Sequence, residues 1–214
     1  DSIFSSDGIY PDPVGSLKAT VDVVHKNGGV FIADEVQPGF ARTGQAFFGF
    51  ARHGIVPDMI TMGKPMGNGI PISGLAAKED VLAAFSDKLP YFNTFGGNPV
   101  SIAAAQAVLK YIKDENLQEH CKKAGAALLK ALKEVQERHP ESVGDVRGAG
   151  LFLGFEFVKN DGNKTPDKDM ALNVIEMLRD EHILTSVIGH YGNILKLRPP
   201  MVFSENDIDW FATS

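Results

Sequence analysis

The sequence predicts an α/β chain, a mostly parallel sheet with helices followed by a smaller α+β unit. Three observations predict it. Two short apolar runs, at residues 30–33 and 59–62, each follow a turn or loop and lead into a polar side chain, Asp34 and Lys64. Continuous apolar runs of this length are the pattern of strands covered on both faces in a parallel sheet. From Leu117 the chain changes character to a long amphipathic helix and short strands separated by glycine-rich and polar loops.

Each element has a local reason. Leu17, Val21 and Val24 fall at helical spacing, and Asn27-Gly28-Gly29 ends that helix before the first strand. Residues 35–57 read as a long functional loop with a short aromatic helix around Phe47, Phe48 and Phe50. After the second strand, residues 63–71 hold too many glycines and prolines for regular structure. A third strand is expected at 72–76, a short helix at 78–85, and an alanine-rich helix over 100–113 with Pro99 at its first position. A helix over 117–138 stops at His139-Pro140, and a glycine-rich approach then leads to a strand at 151–158. A helix at 168–181, strands near 184–187 and 194–197, and a last helix opened by Ser204 with Asp207 as a capping box complete the chain. The boundary between the two units is expected near residue 114, giving domains 1–114 and 115–214.

Bulk properties narrow the classes. The 214 residues are 43% hydrophobic and 22% charged, enough to bury a core, and the formal charge of −6 with no basic block argues against a nucleic-acid partner. No apolar stretch approaches the ~20 residues of a membrane helix, and the first residues carry no basic leader, so a cytoplasmic location is expected. Cys121 is the single cysteine, which leaves no disulfide within the chain, and Asn163-Lys164-Thr165 reads as a chance glycosylation match. The six histidines show no ligand spacing, so no metal site is expected. The chain lacks an initiator methionine and opens as if within a strand end, which reads as a fragment or processed product.

Lys64 and Asp34 carry the chemistry. A lysine and an aspartate at the ends of neighbouring strands suit pyridoxal phosphate: the amine forms a Schiff base with the aldehyde, and the carboxylate keeps the pyridine nitrogen protonated. Three ordered blocks surround them: Asp34-Glu35-Val36-Gln37-Pro38-Gly39-Phe40-Ala41-Arg42-Thr43-Gly44, Gly63-Lys64 with its glycines, and Asn93-Thr94-Phe95-Gly96-Gly97-Asn98-Pro99. Asp34, Lys64 and Thr94 are successively 30 positions apart. In these blocks, along nearly its whole length, the chain resembles the class III (ornithine/acetylornithine-type) pyridoxal-phosphate aminotransferases.

The resemblance implies a fold-type I enzyme, of which this chain is the C-terminal part of the large domain plus the small domain. It implies that Lys64 carries the cofactor and then acts as base, and that Asp34 pairs with the pyridinium nitrogen. It places Val36 on one ring face and Gln37 near the phenolic oxygen. It has Thr94 serve the cofactor phosphate of the neighbouring subunit, which implies a homodimer. A helix cap is the lesser reading of Thr94, Arg42 and Thr43 read equally as a brace or a substrate contact, Glu35 reads also as a solvated neighbour, and Phe47, Phe48 and Phe50 read as core rather than substrate pocket. In Ile194-Leu195-Lys196-Leu197-Arg198-Pro199-Pro200, Lys196 stands where the family often has a carboxylate-clamping arginine, and Arg198 is displaced by two. A lysine supplies charge without the planar fork. With Pro38 and Ala41 this departure is similar to the branch holding alanine–glyoxylate aminotransferase-like proteins and amino-alcohol phosphate phospho-lyases. The family's phosphate-wrapping loop and ring-stacking aromatic do not precede Asp34, which only 33 residues precede. Amino transfer from an amino donor to an oxo acid is therefore the expected reaction. A phospho-lyase and a non-catalytic fragment lacking half the site are the alternatives.

Overall fold

The computed structural model describes residues 1–214 and contains two sheets and six α-helices. Helix α1 (Leu17–Lys26) leads into the first sheet, formed by β1 (Ile32–Asp34), β2 (Met59–Met62) and β3 (Gly74–Ala77) in that order. β1 and β2 are parallel, with Asp34 opposite Thr61, whereas β2 and β3 are antiparallel. The expected mostly parallel sheet is thus met on one side only. The cause is the connection: residues 63–73 form a Gly/Pro-rich loop with no helix to carry the chain back, and a parallel return needs a crossover of a dozen or more residues. β1 is also not covered on both faces. Ala33 is buried, but Val30 is 47% and Ile32 49% exposed.

Between β1 and β2 the aromatic segment is a 3-10 helix at Gly49–His53, two residues later than its phenylalanines suggest. Phe40, Phe47, Phe48 and Phe50 stack edge-on and face-on at 5.0–6.3 Å around it; Phe40 is buried, Phe47 packs against its cluster, and none of the four lines a cavity at Lys64. Helix α2 (Glu79–Ser86) follows β3, and α3 (Pro99–Asp114) starts at Pro99. Its cap is Asn98, whose side chain accepts from the Ser101 N–H at 2.9 Å, so Thr94 is not the cap.

Helix α4 (Leu117–Arg138) lies across the second sheet, β4 (Val143–Gly148), β5 (Leu153–Phe157), β7 (Ile194–Leu197) and β6 (Val187–Ile188), in that order and antiparallel throughout. β4 is the strand that reads as a glycine-rich approach in the sequence. It turns into β5 through Ala149, whose N–H donates to the Phe152 carbonyl. α5 (Lys168–Asp180) and α6 (Glu205–Thr213) complete the unit, and α6 carries the expected Ser204–Asp207 capping box. The core joins Cys121, Leu128 and Leu132 of α4 to Val146, Leu153, Phe155 and Leu195 of the sheet. Where α4 meets the β4–β5 turn there is no room for a side chain. A Cβ on Gly125 would lie 2.2 Å from the Gly150 carbonyl.

Asp58 holds the entry end of the first sheet. It accepts from the Phe31 N–H and the Lys78 Nζ, each at 2.7 Å, and lies 2.7 Å from His25 Nε2. These contacts hold its carboxyl well below the usual carboxylate range, Lys78 most of all.

Candidate active site

Because β1 and β2 run parallel, their carboxyl ends open on the same sheet edge, the usual place for ligands in open α/β sheets. Asp34 ends β1, and Lys64 follows the end of β2 by two residues. Neighbouring strands are ~4.8 Å apart, so Asp34 stands beside the strand end that leads to Lys64. Both side chains are exposed. The Val36 N–H donates to Asp34 Oδ1 at 3.0 Å, which turns the chain away from the strand and leaves Oδ2 free of protein partners.

Glu35 is not a solvated neighbour: it is fully buried and accepts from the Gly49 N–H (2.7 Å), the Phe50 N–H (2.8 Å) and Ser2 Oγ (3.2 Å). Burial raises its pKa in spite of these donors. It thereby fixes the strand end that presents Asp34, Val36 and Gln37. Val36 stands beside the β2–Lys64 junction, where a Cβ on Gly63 would meet its Cγ2 at 3.7 Å. Gly67 allows the tight return after Lys64, since a Cβ there would lie 2.2 Å from the Ile70 carbonyl oxygen.

Lys64 stands between two open cavities. One, of about 670 Å³, runs along residues 69–73 to Asn93, Phe95–Asn98 and Ser101. The other, of about 620 Å³, joins Lys64 and Gln37 to Thr185, Ser186, Lys196 and Arg198. The fold thus brings Gln37, Lys64, Lys196 and Arg198 together across 161 residues of chain, with Arg198 Nη1 donating to Gln37 Oε1 at 2.5 Å. Lys196 Nζ and the Arg198 guanidinium lie 5.4 and 5.9 Å from the centroid of the buried Phe152 ring. Burial, then Arg198, then Lys64 lower the Lys196 pKa. Asp34 and Val36 border the sheet edge without lining either cavity, and Thr94 is exposed and lines neither.

Arg42 proves to be a brace. Its Nη1 donates to the carbonyls of Leu151 (3.0 Å) and Pro199 (2.7 Å), and its own carbonyl accepts from the Leu151 N–H at 3.1 Å. Thr43 is buried with no partner for its hydroxyl. Sequence reasoning missed the opening ten residues, in which Ile3 and Ile9 are fully buried against Phe152. Arg147 holds them through the Gly8 and Ile9 carbonyls. Two isoleucines in a loop-like stretch were the only available signal.

The profile of the family "Aminotransferase class-III" matches residues 1–214. The chain belongs to the class III aminotransferase family. Among curated relatives of this family member, the "Ethanolamine-phosphate phospho-lyase homolog 1" of Caenorhabditis elegans is 42% identical over 211 residues, 97% of this chain and 45% of the relative. The Arabidopsis thaliana "Alanine--glyoxylate aminotransferase 2 homolog 2, mitochondrial" is 42% identical, over 96% of this chain and 42% of its own length. Among solved structures, an Arthrobacter phospholyase in complex with phosphoethanolamine matches with a TM-score of 0.95 at 38% identity, covering all of this chain and 50% of that one. The chain spans about half the length of the curated relatives it matches. The fold is accordingly that of the class III aminotransferases, as the motif blocks imply.

Class III aminotransferases are pyridoxal-phosphate enzymes, and the residues present fit that group. An amine and a carboxylate emerge from adjacent strand ends, an apolar side chain stands beside them, and Gly63 leaves the space its side chain would fill. No helix is long and apolar enough to cross a membrane, and the word mitochondrial in the Arabidopsis relative's name describes that protein.

Proposed function

We propose that the protein to which this chain belongs is a pyridoxal-phosphate enzyme acting at the carbon that bears the amino group of a small amine. Its general reaction is transfer of that amino group to an oxo acid. The pairing of Asp34 with Thr61, which sets Asp34 beside the strand end leading to Lys64, carries the reading. When bound, the cofactor supplies an electron sink for the charge left as a proton departs.

The chain's own residues do the rest. Lys64 would hold the cofactor covalently, and its Nζ is the group placed to take the substrate proton. Asp34 uses its free Oδ2 for the pyridinium nitrogen. Val36 excludes water from one ring face, and Gln37 serves the phenolic oxygen with the amide that now meets Arg198. Thr94, exposed and apart from both cavities, serves the cofactor phosphate of a neighbouring subunit in a homodimer. The large-domain part is residues 1–114 and the small domain 115–214, each with its own sheet. Borohydride reduction of the full-length protein with pyridoxal phosphate tests the site. The expected adduct maps to Lys64 and disappears in Lys64→Ala; an adduct on another lysine in the native enzyme refutes it.

A specific observation favours phosphate elimination as the second reading. Lys196 and Arg198 converge on the cavity beside Lys64, two cations where a substrate carboxylate needs one. A phosphate ester of an amino alcohol, with close to two negative charges, balances both. The named activity of the worm relative and the ligand of the Arthrobacter structure support the same class. Supplying phosphoethanolamine and measuring inorganic phosphate against oxo-acid consumption decides between them. Half-length coverage of the relatives supports a third reading, that this chain alone is a non-catalytic unit. Failure of the isolated chain to take up cofactor, beside uptake by the full-length protein, is its signature.

A further inference from the structure

Resting on the proposal that Lys196 and Arg198 receive a substrate anion, we infer that Arg42 is a positioning residue that sets substrate selectivity without touching substrate. Arg42 is half-buried and has no carboxylate partner; its Nη1 donates to two carbonyls, Leu151 at the β4–β5 turn and Pro199 immediately after Arg198. Gly150 allows this approach, since a Cβ there would lie 2.4 Å from the Arg42 carbonyl. The loop after Asp34 is therefore joined to the Lys196–Pro200 segment at two points, Gln37 to Arg198 and Arg42 to Pro199. Moving either point moves the two cationic heads relative to Lys64.

The electrostatics point the same way. Burial and the neighbouring Arg198 lower the Arg42 pKa to about 10, and it remains a cation at neutral pH. A half-buried cation with no carboxylate partner behind two others raises the positive potential where an anion binds, and its rigid planar head fixes Nη1 between the two carbonyls where a flexible lysine ammonium is free to shift.

The test uses the full-length holoenzyme, with phosphoethanolamine and ethanolamine as probes that share an amine and differ in the phosphate. Apparent Kd is read from the change in cofactor absorbance on adding each amine. Arg42→Lys is expected to weaken phosphoethanolamine about tenfold, to leave ethanolamine binding within about twofold, and to leave the Lys64 adduct intact. Arg198→Ala combined with Arg42→Lys is expected to be no worse than Arg198→Ala alone. Equal weakening of both amines, or full additivity in the double variant, overturns the positioning role. Should Arg42→Lys fail to fold, Arg42→Gln, which keeps a donor for Pro199, is read the same way. A wild-type enzyme with no preference for the phosphorylated amine overturns the anion-site reading itself. Wild-type preference that survives Arg42→Lys unchanged overturns only the inference drawn from Arg42.

Discussion

Asp58→Asn isolates the junction at the entry end of the first sheet. Asp58 is about nine-tenths buried in its side chain and meets the Phe31 N–H, Lys78 Nζ and His25 Nε2, each at 2.7 Å. An asparagine oxygen can keep the Phe31 bond, but its amide then faces the Lys78 ammonium, donor against donor. Lys78 and His25 are 43% and 38% exposed, so water recovers part of each loss, and about 1 kcal/mol apiece is the reasonable scale. With the strain of the misplaced amide the total comes to about 2–3 kcal/mol. Urea unfolding of the full-length protein should show that gap at pH 7. The folded carboxyl titrates below its unfolded value of ~3.9. Its stabilisation is therefore complete above that value and lost as pH falls towards the folded one. The gap between wild type and variant should thus hold down to about pH 5 and shrink below about pH 4. Cofactor attachment should not change, because Asp58 precedes Lys64 by six residues of mostly extended chain, ~20 Å. Equal midpoints at pH 7, or a gap as large at pH 3 as at pH 7, would refute the reasoning.

Two further outcomes are expected. Gly125→Ala in α4 would gain about 1 kcal/mol of helix propensity in an open helix. Here the added methyl overlaps the Gly150 carbonyl at 2.2 Å, so a net loss of about 2 kcal/mol is expected in thermal melting, and a stabilised variant would mean that α4 does not approach the turn this closely. Lys196→Ala should weaken phosphoethanolamine binding about tenfold. Since the Lys196 pKa is lowered, wild-type affinity should fall as pH rises, beginning below the usual lysine value of ~10.4, and this limb should be missing in the variant. A pH limb that survives the substitution would assign it to another group.

Features decided within a few residues were legible in the sequence. Helix α4 runs from Leu117 to Arg138 as its apolar spacing indicates, and Ser204 and Asp207 form their box. Asp34 and Lys64 stood out because a short apolar run ends at each, and the parallel register then brings them to one edge. Features decided by distant partners were not legible. β4 reads Val-Gly-Asp-Val-Arg-Gly, too poor in strand formers to declare itself, and exists because β5 pairs with it. Glu35 resembles any acid after a strand until the 3-10 helix delivers two N–H groups to it. Arg42 is a brace only because Leu151 and Pro199 arrive from 109 and 157 residues away. The departure at Lys196 was visible, while its nearness to Lys64 required the second sheet.

The pairing of β1 with β2 also governs where this chain tolerates insertions and deletions. Asp34 and Lys64 are 30 positions apart, yet that count is not what aligns them. The ladder from Ile32–Met59 to Asp34–Thr61 does so, whatever the length of the connection that joins the two strands. A residue gained or lost at the exposed Gly54, where an added Cβ would meet nothing within 4 Å, leaves both strand ends in place. The same change between Met59 and Lys64 turns alternate side chains to the opposite face and carries the lysine away from the aspartate. Length variation among functional homologues should therefore collect around Gly54 and be absent from the short span between β2 and Lys64.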